Sequence, residues 1–211
     1  MSETKDYKKE YKALYLPLAV PMIIDIPKIT FVAIQGEGNP NEKDGEYQKA
    51  LGVLYAIQYT IKMSKKGKQI IEGYFDYVVP PLEGLWWLDE GDTRASKSKY
   101  NWISLIRLPE FVTAEVFQWA VTEVSVKKGV DTSNAKYLKI KEGLCVQCLH
   151  IGSYDSEPET LKRMESFIEK NGLFMDKTDE RRHHEIYLSD PRKTDSAKLK
   201  TVLRIPVKRL I

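Results

Sequence analysis

The run His183-His184-Glu185-Ile186-Tyr187 places two imidazoles, a carboxylate and a phenol within five residues. Read as a strand, it sends His183, Glu185 and Tyr187 to one face and Ile186 and Leu188 to the other. The apolar pair predicts that its own face is the helix-covered side, which leaves Glu185 and Tyr187 on the opposite face. In the open, Glu185 would be a solvated carboxylate without a task. Walled by aromatic rings, it becomes a general acid or base, or a counter-charge for a cationic ligand.

Other reactive side chains are less suggestive. Cys145 and Cys148, three apart on a strand, point to opposite faces, and no second pair exists to complete a zinc site. They read as small core residues. His183 and His184 are adjacent, so they cannot chelate together, and His150 is the one further histidine. No metal and no cofactor is expected, because phosphate loop, nucleophile elbow and paired-carboxylate motif are all missing. The aromatic residues cluster instead. Tyr55 and Tyr59 lie one helical turn apart beyond Tyr47, where they read first as core rings with hydroxyls at the edge. Trp86 and Trp87 end the run Pro80-Pro-Leu-Glu-Gly-Leu-Trp-Trp87, whose prolines and glycine predict a loop able to wall a cavity. Trp102 opens a strand that could face the same space.

The elements that must carry these residues follow from periodicity. Residues 4–15 suit a short charged helix ending before Pro17. Ile29–Gly36 reads as a strand and Glu46 to about Lys66 as a long helix ended by Gly67. Gly73–Val79 and Trp102–Leu108 read as strands, and Thr113 caps a helix running to Val126. The second half repeats the order: strand Leu144–Ile151, a helix opened by a Ser156/Glu159 capping box and closed at Asn171-Gly172, then strands His184–Leu188 and Thr201–Val207. The predicted fold class is α+β, a tandem pseudo-symmetric pair of strand-helix-strand-strand units with a ligand groove between them. Residues 1–28 form an N-terminal leader and 29–211 the domain. Its first unit covers about 29–112, a linking helix 113–127 and its second unit about 144–211.

Composition narrows the function classes. Hydrophobic residues make up 42% and charged residues 30%, ordinary for a globular chain and against disorder. The 33 basic and 30 acidic side chains leave a net charge of +3, too balanced to predict a nucleic-acid surface. No stretch approaches the roughly 18 apolar residues of a membrane span, and no signal peptide opens the chain, so a cytoplasmic location is expected.

Three strings resemble stand-alone GyrI-like proteins: Phe31-Val-Ala-Ile-Gln-Gly-Glu-Gly-Asn-Pro40, Leu149-His-Ile-Gly-Ser-Tyr-Asp-Ser-Glu-Pro158 and His184-Glu-Ile-Tyr-Leu-Ser-Asp-Pro-Arg192. The resemblance runs from about Asp6 to the C-terminus. It implies paired strand-helix-strand-strand units and a groove in which an acidic residue, here Glu185 beside Tyr187, meets planar cationic drugs among aromatic rings. Regulators of the family add a DNA-binding helix-turn-helix, for which the leader is too short, so no direct nucleic-acid partner is expected. Some stand-alone members hydrolyse cyclopropane-bearing DNA-alkylating compounds and so confer antibiotic resistance by detoxification. By that resemblance Glu185 is the acid/base and Tyr55 its hydrogen-bonding partner, and Tyr187, Trp86, Trp87, Trp102, Tyr59 and His183 bind a planar aromatic small molecule. The alternative is a drug-sequestering or sensing module without chemistry. A gyrase interaction is not expected.

Overall fold

The apolar period after Gly45 folds as read: α3 covers Glu46–Met63, with Ala50, Leu54, Ile57 and Ile61 buried on one stripe, and a 3-10 turn at Ser64–Lys66 leads to Gly67. It follows α1 (Tyr7–Glu10), α2 (Lys12–Tyr15) and β1 (Met22–Glu37). After it come β2 (Leu82–Trp87), β3 (Asn101–Arg107), α4 (Ala114–Lys128), β4 (Lys136–Ile151), α5 (Glu157–Lys170), β5 (Leu173–Met175), β6 (His183–Tyr187) and β7 (Lys200–Arg209). The computed structural model describes residues 4–67, 69–89 and 100–210. Helices and antiparallel strand pairs coexist, so the fold class is α+β. The chain divides into two units. One holds Met1–Glu10, Ile29–Pro80 and Trp87–Lys139; the other holds Tyr11–Lys28, Pro81–Trp86 and Ile140–Ile211.

In the first unit, β1 pairs with β3 from Phe31↔Arg107 to Glu37↔Asn101. Gln58 of α3 donates from Nε2 to the Arg107 carbonyl at 2.8 Å, which ties helix to strand inside the core. Thr113 caps α4 as expected, accepting from Val116 N at 3.3 Å, and Gly129 closes it at φ 62°. The strand expected at Gly73–Val79 does not form. Tyr77 makes only an isolated bridge to Lys5, because this segment is held by side chains instead: Tyr77 is buried with its hydroxyl on Gln58, and Asp76 pairs with Lys62 and Lys65.

In the second unit, β7 is central. It pairs with β4, β5 and β6, and β6 pairs in turn with β2. The loop expected over Pro80–Trp87 is thus a strand from Leu82 onward. Its prolines stop short of the ladder, where their missing N–H costs nothing. Helix α5 covers one sheet face, where Leu161, Met164 and Ile168 bury against Val146, Cys148, Leu203, Ile205 and Val207. Its entry differs from a capping box. A 3-10 turn at Tyr154–Ser156 leads in, and Ser156 Oγ donates to the Ser153 carbonyl at 2.7 Å rather than capping the helix.

The register corrects the assignment of faces. Directly opposed residues of an antiparallel pair share a face, and Glu185 lies opposite Leu203, while His184 lies opposite Arg204. Leu203 belongs to the α5 core, so Glu185 stands on the helix side of the sheet and Ile186 on the far side. Alternation placed His183, Glu185 and Tyr187 together correctly. The apolar character of Ile186 pointed to the wrong face because both faces are buried in this unit: Ile186 and Val202 pack behind the sheet at 1% and 0% exposure.

Candidate functional site

The helix-side face of β2 and β6 carries a connected polar chain. Glu185 accepts on both oxygens: Tyr187 Oη donates to Oε2 at 2.8 Å, and His183 Nε2 lies 3.1 Å from Oε1. Trp86 Nε1 donates to Tyr187 Oη at 2.8 Å. An indole nitrogen can only donate, so the phenol oxygen accepts from it and spends its proton on the carboxylate. Trp86 lies opposite His183, and Gly84 opposite Glu185, in the β2–β6 ladder. A methyl group on Gly84 would come within 2.6 Å of Trp86 Nε1 and 3.1 Å of Tyr187 Oη. Only glycine lets the indole and the phenol close over this rung. Tyr154 stands edge-on to Tyr187 at 6.0 Å and 85°. Burial first, then the charges of Glu157, Glu185 and Asp190, push its hydroxyl up to about 12, so it stays protonated at neutral pH.

The far side of the same strands holds a second polar group, sealed from water. His184 Nδ1 lies 3.0 Å from Glu142 Oε1, and its Nε2 lies 2.9 Å from Glu83 Oε2, off the N–H axis and so a charge pairing rather than a hydrogen bond. Arg204 donates to Glu142 Oε2 at 2.7 Å and approaches Gln147 Oε1 at 3.3 Å. Two carboxylates thus face two cations, with side chains between 1% and 5% exposed. Burial alone would discharge His184, but Glu142 and Glu83 outweigh it and raise the imidazolium to about 9. Burial likewise opposes the Glu142 charge, and His184 with Arg204 lowers it to about 2. The N-terminal segment closes the cluster: Gln147 Nε2 donates to the Ala13 carbonyl at 2.6 Å, Arg204 to that of Leu14 at 3.1 Å, and Tyr15 Oη to Glu83 at 3.4 Å.

Of the residues singled out in sequence, Glu185, Tyr187, His183 and Trp86 come together in the second unit. Trp87, half-buried, belongs to the first unit. So do Tyr55 and Tyr59, which are 37% and 51% exposed on α3 rather than core rings. Trp102 is a packing residue at 1% exposure: its indole crosses Gly36 and meets Tyr47 edge-on at 5.1 Å. As packed it offers no wall to a ligand. Sequence reasoning missed Tyr154 and Gly84. The first lies in the Leu149–Pro158 string, and the second would have emerged from reading 82–87 with a period of two. Two cavities, of about 430 and 390 Å³, lie elsewhere. One is bounded by Gln35, Glu37 and Glu46, the other by Lys162, Arg163 and Phe167, and neither borders Glu185.

The GyrI-like small molecule binding domain matches residues 20–208. The chain belongs to this GyrI-like family. It is similar to a hydrolase from Listeria innocua, at 46% identity over 96% of this chain and 99% of that one, with a TM-score of 0.88. A second crystal structure of a Listeria innocua hydrolase matches at 45% identity over 98% and 100% of the two chains, with a TM-score of 0.90. The C-terminal domain of EcmrR shares the fold at 14% identity and a TM-score of 0.55, covering 90% of this chain and 98% of that one. No curated protein matches. A domain of this small-molecule-binding family fits a small-molecule ligand, and among the described residues no helix is long and apolar enough to cross a membrane.

Proposed function

We propose that the protein is a hydrolase that binds planar hydrophobic compounds and opens the strained ring of cyclopropane-bearing DNA alkylators by adding water. The observation that carries this reading is the Glu185 carboxylate, held by Tyr187 and His183 within a rim formed by Trp86 and Tyr154. A fixed carboxylate supplies acid–base chemistry, and the rings supply stacking surface for a flat ligand. The hydrolase relatives at 45–46% identity support an enzyme over a passive binder. Detoxification of such compounds would follow from that chemistry.

Incubating the protein with a cyclopropane-bearing alkylator and following the water adduct by mass tests the reading. Accumulation of the adduct with wild-type protein and its loss with Glu185→Gln is the expected result. A ligand recovered unchanged from a tight complex would instead establish a sequestering module.

A further inference from the structure

Helix α5 carries two adjacent rows on its outer side. Lys162, Ser166 and Lys170 follow one another at intervals of four, and Arg163 and Phe167 form the next row. Together with Pro21 these residues bound the cavity of about 390 Å³, which lies within the second unit. Its apolar part is Pro21 and Phe167, the latter half-buried where it packs against the core beneath α5. Just before Pro21, Leu18 and Val20 are 70% and 57% exposed, so apolar surface continues along the chain from the cavity. The Leu18 carbonyl accepts from Leu149 N at 3.0 Å, which fixes that segment to β4.

The polar part is cationic and uncompensated. The ammonium groups of Lys162 and Lys170 form no ion pair or hydrogen bond among the described residues, although Glu159, Glu165 and Glu169 stand exposed on the same helix. Arg163 is anchored without being neutralised. Its Nη1 donates to the Ala19 carbonyl at 3.4 Å and its Nη2 to Thr160 Oγ1 at 3.0 Å, both uncharged acceptors. The guanidinium is thereby held at the cavity wall with donors to spare. Three positive charges around a partly apolar hollow complement a molecule with an anionic end and an apolar body.

We infer that this cavity binds a small amphiphilic anion, a carboxylate, sulfonate or phosphate head on an alkyl or aryl body, taken up as a free molecule. The head sits among Lys162, Arg163 and Lys170, and the body lies on Phe167 and Pro21. An anionic bilayer is the poorer occupant, because laying α5 on it would also press Glu159, Glu165 and Glu169 toward like charge. The site requires neither the Glu185 chain nor the ring-opening reaction.

Titration with octanoate, followed by calorimetry and by amide proton–nitrogen spectra, tests this. Saturable binding tighter than about 1 mM is expected, with amide shifts concentrated in 162–170 and 18–21. Lys162→Glu combined with Lys170→Glu, both at exposed positions, should weaken it by about tenfold or more, and salt at about 0.5 M should also weaken it. Octan-1-ol, with the same chain and no charge, should bind at least about tenfold more weakly than octanoate. Failure to saturate by about 1 mM, equal binding of the alcohol, or unchanged affinity in the double variant would each overturn the inference. Shifts confined to 183–187 would overturn it too, by assigning the anion to the Glu185 face. Binding to phosphatidylglycerol vesicles without binding of octanoate would overturn it by making α5 a membrane contact.

Discussion

His183 and Glu185 on one face of β6, and His184 on the other, use the same chemical types to opposite ends. Behind the sheet, His184, Glu83, Glu142 and Arg204 balance their charges, and backbone carbonyls of residues 13–14 take further donors. In front, Glu185 and His183 keep 15% and 12% of their side-chain surface. A charge group closed off from water holds the fold, and one that keeps part of its surface can meet a ligand. Adjacent positions on one strand thus divide stability from chemistry.

The sharpest way to break this contrast is at Arg204. Replacing it with Met leaves Glu142 buried against His184 without its second cation, and the expected cost is about 3–5 kcal/mol in urea unfolding. A loss under about 1 kcal/mol would show that the back cluster is dispensable. The pH dependence should come next. His184 titrates at about 9 in the folded chain against an ordinary 6.5, so its contribution is complete below 6.5 and lost as pH rises through 9. Glu142 lies at about 2 against 4.5, so its contribution is present above 4.5 and lost as pH falls toward 2. The urea midpoint should therefore decline between pH 6.5 and 9, and His184→Gln should flatten that decline. On the front face, Tyr187→Phe removes a donor from Glu185 and an acceptor from Trp86. About 1–2 kcal/mol of stability should go, together with most turnover of a cyclopropane-bearing alkylator. The smallest effect is expected from Gly84→Ala. The new methyl displaces the Trp86 indole, costing about 1 kcal/mol and shifting tryptophan emission toward that of a water-exposed ring. Emission identical to wild type would contradict the contact.

Much of this was legible in sequence. The periods of α3, α4, α5, β6 and β7 were plain, and alternation alone grouped His183, Glu185 and Tyr187. What alternation cannot supply is which side the helix covers when both sides are buried, and Ile186 misled on that point. The back cluster was hidden for another reason. Glu83, Glu142, His184 and Arg204 come from four separate strands, so no spacing connects them before the β2–β6–β7–β4 pairings exist. Trp86 and Trp87 looked equivalent because the prolines before them suggested a loop. Once 82–87 is a strand, the two indoles must point apart. Trp102 carried no mark to separate a ligand wall from a packed ring.

The closure of the back cluster by residues 13–15 has a practical side. A recombinant piece trimmed to the family match would begin at residue 20 and omit Ala13, Leu14 and Tyr15. Arg204 and Gln147 would lose their carbonyl acceptors, Glu83 would lose a hydroxyl, and solvent would reach a salt cluster built for a dry interior. Those few residues behave as a built-in stopper, and expression of the domain without them should yield aggregates rather than a smaller version of the same protein.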